Sequence, residues 1–169
     1  MSCAIVSGVS NVCRDSIGGI KYVLITETAN IASTTSASGN ISAMSLNAGK
    51  VFYRFDMTQA TGNYNQTTKP NLANGSYYVE QTVNFKIPKF TATIAYQIKN
   101  LGQQPVSIIV YTMNGDFILL GGTNGMNMTD STQGSGTAMA DFSGFDLNFM
   151  AQESDLALTV DSAVVATLI

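Results

Sequence analysis

The sequence predicts a mainly β protein: an antiparallel β-sandwich or split barrel with one packed α-helix and a long β-hairpin arm. Apolar and polar residues alternate along several segments, whereas the period of a helix occurs once. The composition is that of a folded domain, because 45% of the residues are hydrophobic, which excludes a disordered chain, and only 11% are charged, which excludes a coiled coil. A chain of 169 residues fits one domain, residues 1–169, that buries its own core.

Two short strands are predicted near the beginning of the chain. Residues 21–26 (KYVLIT) form an apolar run after Gly18-Gly19, and residues 41–46 alternate weakly. Residues 32–39 (ASTTSASG) are small and polar, so we expect a loop between these two strands.

The strongest strand signals lie within residues 50–87. Residues 50–59 and 77–87 each alternate apolar and polar side chains, and residues 62–75 have the polar composition of a hairpin tip. We therefore expect an extended hairpin arm over residues 50–87 with one apolar face and one polar face. The polar face supplies the candidate functional residues Arg54, Asp56, Thr58, Glu80, Thr82, Asn84 and Lys86.

Such an arm can pack in two alternative ways, against other copies of the chain or against its own domain. Isolated two-stranded ribbons are marginal in water, and their open edges invite pairing with other chains. The arms of neighbouring copies can join edge to edge into a closed barrel whose bore is lined by the polar face. The alternative is a hairpin folded back on its own sandwich. In the barrel, we expect Arg54 and Lys86 to pair with Asp56 or Glu80 of an adjacent strand.

One helix is predicted over residues 89–101. Its apolar stripe, Phe90, Ile94, Ile98 and Leu101, repeats every three or four residues. Pro88 suits the beginning of this helix, Gly102 is a C-cap signal, and Pro105 blocks continuation.

The remaining residues predict further strands. Residues 106–112 and 117–120 flank Asn114-Gly115, which is a strong hairpin signal, and residues 121–125 (GGTNG) turn again. Residues 126–136 are polar and loop-like, whereas residues 146–153 and 156–160 alternate, and the last residues (AVVATLI) favour a strand. We expect about eight strands in all.

Charge is distributed unevenly along the chain. Residues 1–99 carry all eight bases and four acids, and residues 100–169 carry seven acids and no base. The oppositely charged halves of two copies can attract each other in a head-to-tail arrangement. The alternative is chance segregation of charges in a chain that has few of them, with any field screened by salt. The net charge of −3 argues against stable DNA binding, which needs a basic stripe.

The sequence offers no catalytic constellation. There is no His, no glycine-rich phosphate loop with Lys and no nucleophile elbow. Asp141 and Asp146 flank a bend and are best interpreted as solvated acids, and Asp130, Asp141 and Glu153 lack the spacing of a calcium loop. We therefore expect no enzyme activity, no cofactor and no metal site.

The two cysteines and the hydropathy of the chain indicate in which cellular compartment the protein is expected. Cys3 and Cys13 can bridge if their strands lie side by side, but two buried thiols in a reducing cytoplasm are favoured. The first residues lack a basic region and a long apolar run, so we expect no signal peptide. No run of 18 apolar residues occurs, so we expect no membrane span.

Several motifs occur in a familiar order. They are CRDSIGG at 13–19, FYR at 52–54, YYVEQTVNFKI at 77–87, FILLGGTNGM at 117–126, and the stretch from SGTA at 135–138 to Gly144. In these motifs and in the order of its elements, the chain resembles the tail tube (major tail) structural proteins of tailed bacteriophages, notably those of phages that infect Bacteroidetes-type hosts.

The resemblance implies a structural virion protein of the tail, made in the host cytoplasm. Six subunits form a ring, their long hairpins build an inner β-barrel, and rings stack head to tail into a tube through which DNA leaves the capsid. Implied partners are the chain itself, other tail proteins (tape measure, terminator and baseplate hub) and DNA in transient passage without sequence specificity, with no membrane. The alternative is a capsid decoration or another virion surface-binding β-sandwich module.

Overall fold

The computed structural model describes residues 7–9 and 16–169 and confirms the mainly β class. Its strands are β1 Ile20–Glu27, β2 Ile31–Ala37, β3 Asn40–Leu46, β4 Tyr53–Asp56, β5 Asn63–Asn71, β6 Ser76–Pro88, β7 Val106–Thr112, β8 Phe117–Leu120, β9 Asn127–Gly134, β10 Gly144–Glu153 and β11 Leu158–Val160. Its α-helices are α1 Ala92–Leu101 and α2 Ser162–Leu168. Within these described residues, no helix has the length and hydropathy needed to cross a membrane.

The larger sheet, over the described residues, has the strand order β2-β3-β11-β8-β7-β1-β4. Neighbouring strands are antiparallel except β11 and β3, which are parallel. The interior strand β7 is almost wholly buried because both its faces are covered: Ile108 and Val110 belong to one core and Ile109 to another. The predicted hairpin between β7 and β8 is confirmed, with Gly115 at a φ of +94° in its turn.

The smaller sheet has the order β5-β6-β10-β9, and all its pairs are antiparallel. β6 alternates as predicted, and its buried side chains are Val79, Gln81, Val83, Phe85 and Ile87. These side chains contribute to the core between the two sheets, where Phe85 stacks on Phe149 of β10 with ring centroids 5.9 Å apart. The two sheets therefore form a sandwich around one shared core.

The predicted arm over residues 50–87 is wrong in its pairing. β4 pairs with β1 in the larger sheet, whereas β6 pairs with β5 and β10 in the smaller sheet. The segment around β4 carries apolar side chains on both faces: Phe52 is buried in the core beside α2, and Phe55 and Met57 pack on the core between the sheets. Both faces are therefore fixed to the body of the protein.

A shorter hairpin replaces the predicted arm. β5 occupies most of the expected polar tip, and residues 72–75 form the turn into β6. Residues 79–88 of β6 also pair with β10, so only residues near the turn extend beyond the neighbouring strand. In the single chain, the hairpin is thus folded back on its own sandwich.

Two segments that were expected to be loops are strands. Residues 32–39 contain most of β2, and residues 126–136 contain β9. Both are edge strands, and nearly all of their side chains are exposed. Backbone pairing is the main interaction that orders them, since Ile31 of β2 and Met128 of β9 are the residues that pack partly on a core. They therefore lack the apolar alternation that marks a half-buried strand.

The predicted helix is confirmed but begins later than expected, at Ala92. Thr91 is the N-cap, and its hydroxyl oxygen accepts a hydrogen bond from the Ile94 N–H at 3.2 Å. Phe90 lies before the helix and packs against Phe145 instead. Ile98 is buried against the core between the sheets.

The β-prone composition of the last residues predicted a strand, but these residues form the helix α2. In α2 the apolar residues Val165 and Leu168 are three positions apart and pack on Ile41 and Phe52. These contacts cover the second face of the larger sheet. Burial of one helical stripe outweighs the β propensity of valine at this site.

A buried polar network joins the two sheets near the tip of the β5–β6 hairpin. The Gln81 side-chain oxygen accepts the Gly121 N–H at 3.0 Å, and its amide nitrogen donates to a backbone carbonyl that follows β10. The Glu153 carboxylate accepts the Thr123 and Asn124 N–H groups at 3.1 and 2.9 Å. The turn after β8 is therefore held to the smaller sheet by satisfied buried groups.

Replacing Gln81 with leucine should lower the free energy of unfolding by about 1–3 kcal/mol, because the Gly121 N–H is left buried without an acceptor. Urea denaturation of the unassembled protein measures this change. The matched control Gln152→Leu, on the exposed side of β10, should change stability by less than about 0.5 kcal/mol. Equal stabilities of the two variants would contradict a structural role for the network.

Candidate assembly surface

The outward face of the smaller sheet is mainly polar. Successive side chains of a strand point to opposite faces, so the partners of the buried residues define this surface. Its members by strand are Asn63, Asn65, Thr67 and Lys69 of β5; Tyr78, Glu80, Thr82, Asn84 and Lys86 of β6; Asp146, Asn148, Met150 and Gln152 of β10; and Asn127, Asp130 and Thr132 of β9. We call this set the outer face.

The structure separates the sequence-predicted candidates into two groups. Glu80, Thr82, Asn84 and Lys86 lie together on the outer face, in agreement with the alternation of β6. Arg54 and Asp56 lie on β4, at the edge of the larger sheet.

Thr58 lies between these groups. It is exposed after β4, and its N–H donates to the Lys86 carbonyl at 3.3 Å. The grouping of all seven residues on one hairpin face is therefore wrong, because β4 and β6 belong to different sheets.

The ion pairs of the outer face run between neighbouring strands. Lys86 pairs with Asp146 at 3.3 Å, and Lys69 pairs with Glu80 at 2.8 Å. The hydrogen bond that the Lys69 ammonium donates to the Glu80 carboxylate raises the pKa of Lys69 above its usual value. The expected partner of Lys86, Asp56 or Glu80, is thus wrong, and the acid comes from β10, whose register sets Asp146 opposite Lys86.

Arg54 does pair with Asp56, at 2.7 Å, but on its own strand rather than across to a neighbour. The two residues are two positions apart and so lie on the same face of β4. The Arg54 guanidinium also stacks on the Tyr22 ring, 3.9 Å from the ring centroid. Both interactions fix Arg54 against the larger sheet.

Uncharged amides complete the surface between the ion pairs. The Asn84 amide nitrogen donates to Asp146 and to Asn148, both at 2.7 Å. Of the charged residues assigned to the outer face, Asp130 alone makes no ion pair in the described part of the chain. The surface is therefore hydrophilic, and its positive charges are already neutralised.

Both edges of the smaller sheet are open. β5 pairs only with β6 and β9 only with β10 among the described residues. Residues 63–68 of β5 (NYNQTT) carry no charge, Lys69 and Pro70 stand only at its hairpin end, and β9 carries one acid, Asp130. Open edges of low charge are templates for a further strand, whereas charges and proline normally protect such edges.

The acidic residues that the sequence analysis weighed as acid–base groups or cation ligands are engaged in separate interactions. Asp146 is ion-paired, Glu153 is buried on backbone N–H groups, and Asp141 accepts the Thr137 and Ala138 N–H groups, both at 2.8 Å. No group of three or more metal-ligating side chains occurs in the residues that the structure describes. The question of a bridge between Cys3 and Cys13 lies outside those residues.

A groove with a volume of about 540 Å³ lies near the hairpin tip. Tyr77, Leu156 and Ile41 contribute apolar walls, and its buried polar groups are Gln81 and Glu153. These two side chains are committed to backbone hydrogen bonds. A ligand in this groove could therefore bind these two side chains only at the expense of those hydrogen bonds.

No family model, curated protein or solved structure matches this chain. A functional assignment has to stand on the geometry above. The sequence correctly identified the β6 part of the outer face but missed β5 and β9. Pro70, in an Asn- and Thr-rich stretch, was the available signal for β5, because proline within a sheet is confined to edges, strand ends and bulges.

The loop before β10 should respond to acid through Asp141. Its hydrogen bonds with Ala138 and Thr137 lower its pKa below the ordinary value of 3.8. A lowered pKa stabilises the folded loop above that ordinary value, and the stabilisation is lost as the pH falls through the lower folded value. We expect NMR hydrogen-bond signatures of the Thr137 and Ala138 amides to persist near pH 4 and to disappear at lower pH.

The control for this titration is Asp141→Asn, which removes the ionisable group. Its loop amides should show no transition in the same acid range. An identical transition in both proteins would assign the effect to another group.

Proposed function

We propose that this chain is the subunit of a bacteriophage tail tube, which self-assembles into stacked hexameric rings that form a conduit for DNA ejection. The ring number and the tube come from the resemblance described above. The observation that carries the proposal is the smaller sheet: it has one polar face, one face on its own core and two open edges.

Closure of the smaller sheets is the proposed basis of the ring. Each copy offers β5 at one edge and β9 at the other, so β5 of one copy can pair with β9 of the next. Six four-stranded sheets joined in this way give a closed barrel of twenty-four strands, and closure removes every open edge. At normal strand spacing and tilt, such a barrel is about 45–50 Å across its backbone, which leaves a wide aqueous channel.

The polar face lines the bore in this arrangement. The larger sheet covers the opposite face of the smaller sheet and is the bulkier layer, so it lies on the outside of the ring. Glu80, Thr82, Asn84 and Lys86 then face the lumen, whereas Arg54 and Asp56 belong to the outer layer.

This bore suits the passage of DNA without retention. Tight non-specific binding requires lysine or arginine to neutralise phosphates. Both lysines of the outer face, Lys69 and Lys86, are already paired with carboxylates, and the surrounding groups are mainly amides and hydroxyls. DNA passing through meets a hydrated, nearly neutral wall. The tail of the virion is the proposed location, with the tape measure, terminator and baseplate hub as further partners.

The direction of the backbone groups in β5 allows a selective test. The Asn65 carbonyl accepts the Thr82 hydroxyl of β6, and Pro70 stands where a missing N–H does not break the ladder. Along an antiparallel strand, the backbone N–H and C=O groups of successive residues point alternately to one neighbouring strand and to the other. Asn65 points to β6, so the residues of opposite parity, Thr68 and Pro70, point to the open edge.

Thr68→Pro should therefore leave the monomer folded but prevent ring closure, because it removes an N–H needed by the neighbouring copy. Circular dichroism checks folding, and negative-stain electron microscopy with size-exclusion chromatography checks assembly. Thr68→Val retains the N–H and should form rings and tubes like the unmodified protein. Tubes of unchanged diameter from Thr68→Pro would contradict pairing through this edge.

The same microscopy distinguishes the alternative function. The unmodified protein should form rings or tubes as a tube subunit. A stable monomer or trimer at all concentrations would instead favour a capsid decoration or another surface-binding module.

A further inference from the structure

We propose that stacked rings are joined through the two ends of the smaller sheet: the hairpin tip at residues 72–75 of one copy seats on the loop at residues 135–143 of the next. This inference rests on the proposed tube and identifies the partner of each end as a second copy of this chain. It concerns contacts between rings, whereas the open edges concern closure within a ring.

The two contact segments lie at opposite ends of the same sheet. At one end Asn71 pairs with Ser76 across the tip of the β5–β6 hairpin. At the other end Gly144 pairs with Pro88, so the loop that precedes β10 lies beside the end of β6. Head-to-tail stacking along the strands therefore brings the tip of one copy to the loop of another.

Each end exposes a large apolar side chain that its own chain does not cover. Leu72 is 95% exposed at the tip, and Met139 is fully exposed in the loop. Phe90, two residues after β6, is 55% exposed, and Phe142 of the loop is 36% exposed, so both add apolar surface at this end of the sheet. Single exposed apolar residues are common, but these occupy complementary positions at the two ends that stacking would join.

Both segments are held in shape before contact. The Asn71 side-chain oxygen accepts the Ala73 N–H at 3.1 Å and the Asn74 N–H at 3.3 Å, which fixes the tip. In the loop, Asp141 holds two successive backbone N–H groups in the same manner. Preorganised segments lose less conformational entropy when they bind.

The two ends also differ in charge. Lys89 is exposed at the loop end, and Asp155 is exposed near the tip end. Neither makes an ion pair with any residue that the structure describes. Asp141, the acid at the loop end, is engaged by its own loop. A base at one end and an acid at the other favour head-to-tail over tail-to-tail contacts.

Strand length sets the spacing that this contact implies. β6 has 13 residues, which at roughly 3.3 Å each give a strand of about 43 Å. A barrel tilt of about 35–45° reduces the axial rise to roughly 30–35 Å before the end loops are added. The axial repeat of the tube should therefore be about 30–45 Å.

The test separates stacking from closure. Leu72→Asp and Met139→Asp each place a charge on one proposed contact and should yield isolated rings in place of tubes. Tyr96→Asp alters an exposed aromatic residue of α1 that belongs to neither proposed contact segment, and it should still give tubes. Circular dichroism should be unchanged in all three variants, because the three side chains are largely exposed.

Cross-linking provides a second readout. In a Cys3→Ser, Cys13→Ser background, assemblies that mix Leu72→Cys subunits with Met139→Cys subunits should form covalent dimers with a short bismaleimide. Each cysteine variant assembled alone should give far fewer dimers. Tubes from both aspartate variants together with no mixed dimers would overturn the inference and leave the tube intact. Absence of any ring from the unmodified protein would overturn the proposed function itself.

Discussion

The arrangement depends on one constraint, the asymmetry of the smaller sheet. Its inner face is committed to the core through Val83, Phe85 and Phe149, so this sheet cannot turn over or leave the sandwich. Its outer face is exposed, mainly polar and internally paired, and its edge strands β5 and β9 have no further strand partner among the residues that the structure describes. A sheet fixed on one face and wet on the other can grow only sideways. Sideways growth of a twisted sheet leads to a barrel, which is why the proposed ring follows from the edges.

The sequence predicted those elements whose side chains report their environment. β6 and β10 each have one buried face and therefore alternate, and the β7–β8 hairpin has an Asn-Gly turn between apolar runs. The strands β2, β5 and β9 are held mainly by backbone pairing at sheet edges, and their exposed Ser, Thr and Asn side chains are also typical of loops. No side-chain period distinguishes such an edge strand from a turn.

The prediction of a hairpin arm over residues 50–87 was wrong for a different physical reason. A strand with alternating aromatic residues was assumed to have one apolar and one polar face, but the segment around β4 contacts two separate cores through Phe52 and Phe55. Local alternation does not specify which sheet a strand joins, because that choice depends on contacts distant in sequence. The grouping of the candidate residues on one polar face was consequently correct only for β6: Glu80 and Lys86 lie on the outer face, Arg54 does not, and the acid that neutralises Lys86 is on β10. Whether the outer face lines a bore stays a prediction.

Hydrogen exchange on assembled and unassembled protein tests the central claim most directly. The account predicts that amides of β5 and β9 that face the open edges gain strong protection on assembly, whereas those of β2, at the edge of the larger sheet, gain less. Unchanged exchange in β5 and β9, with new protection elsewhere, would contradict an assembly built by joining the smaller sheets.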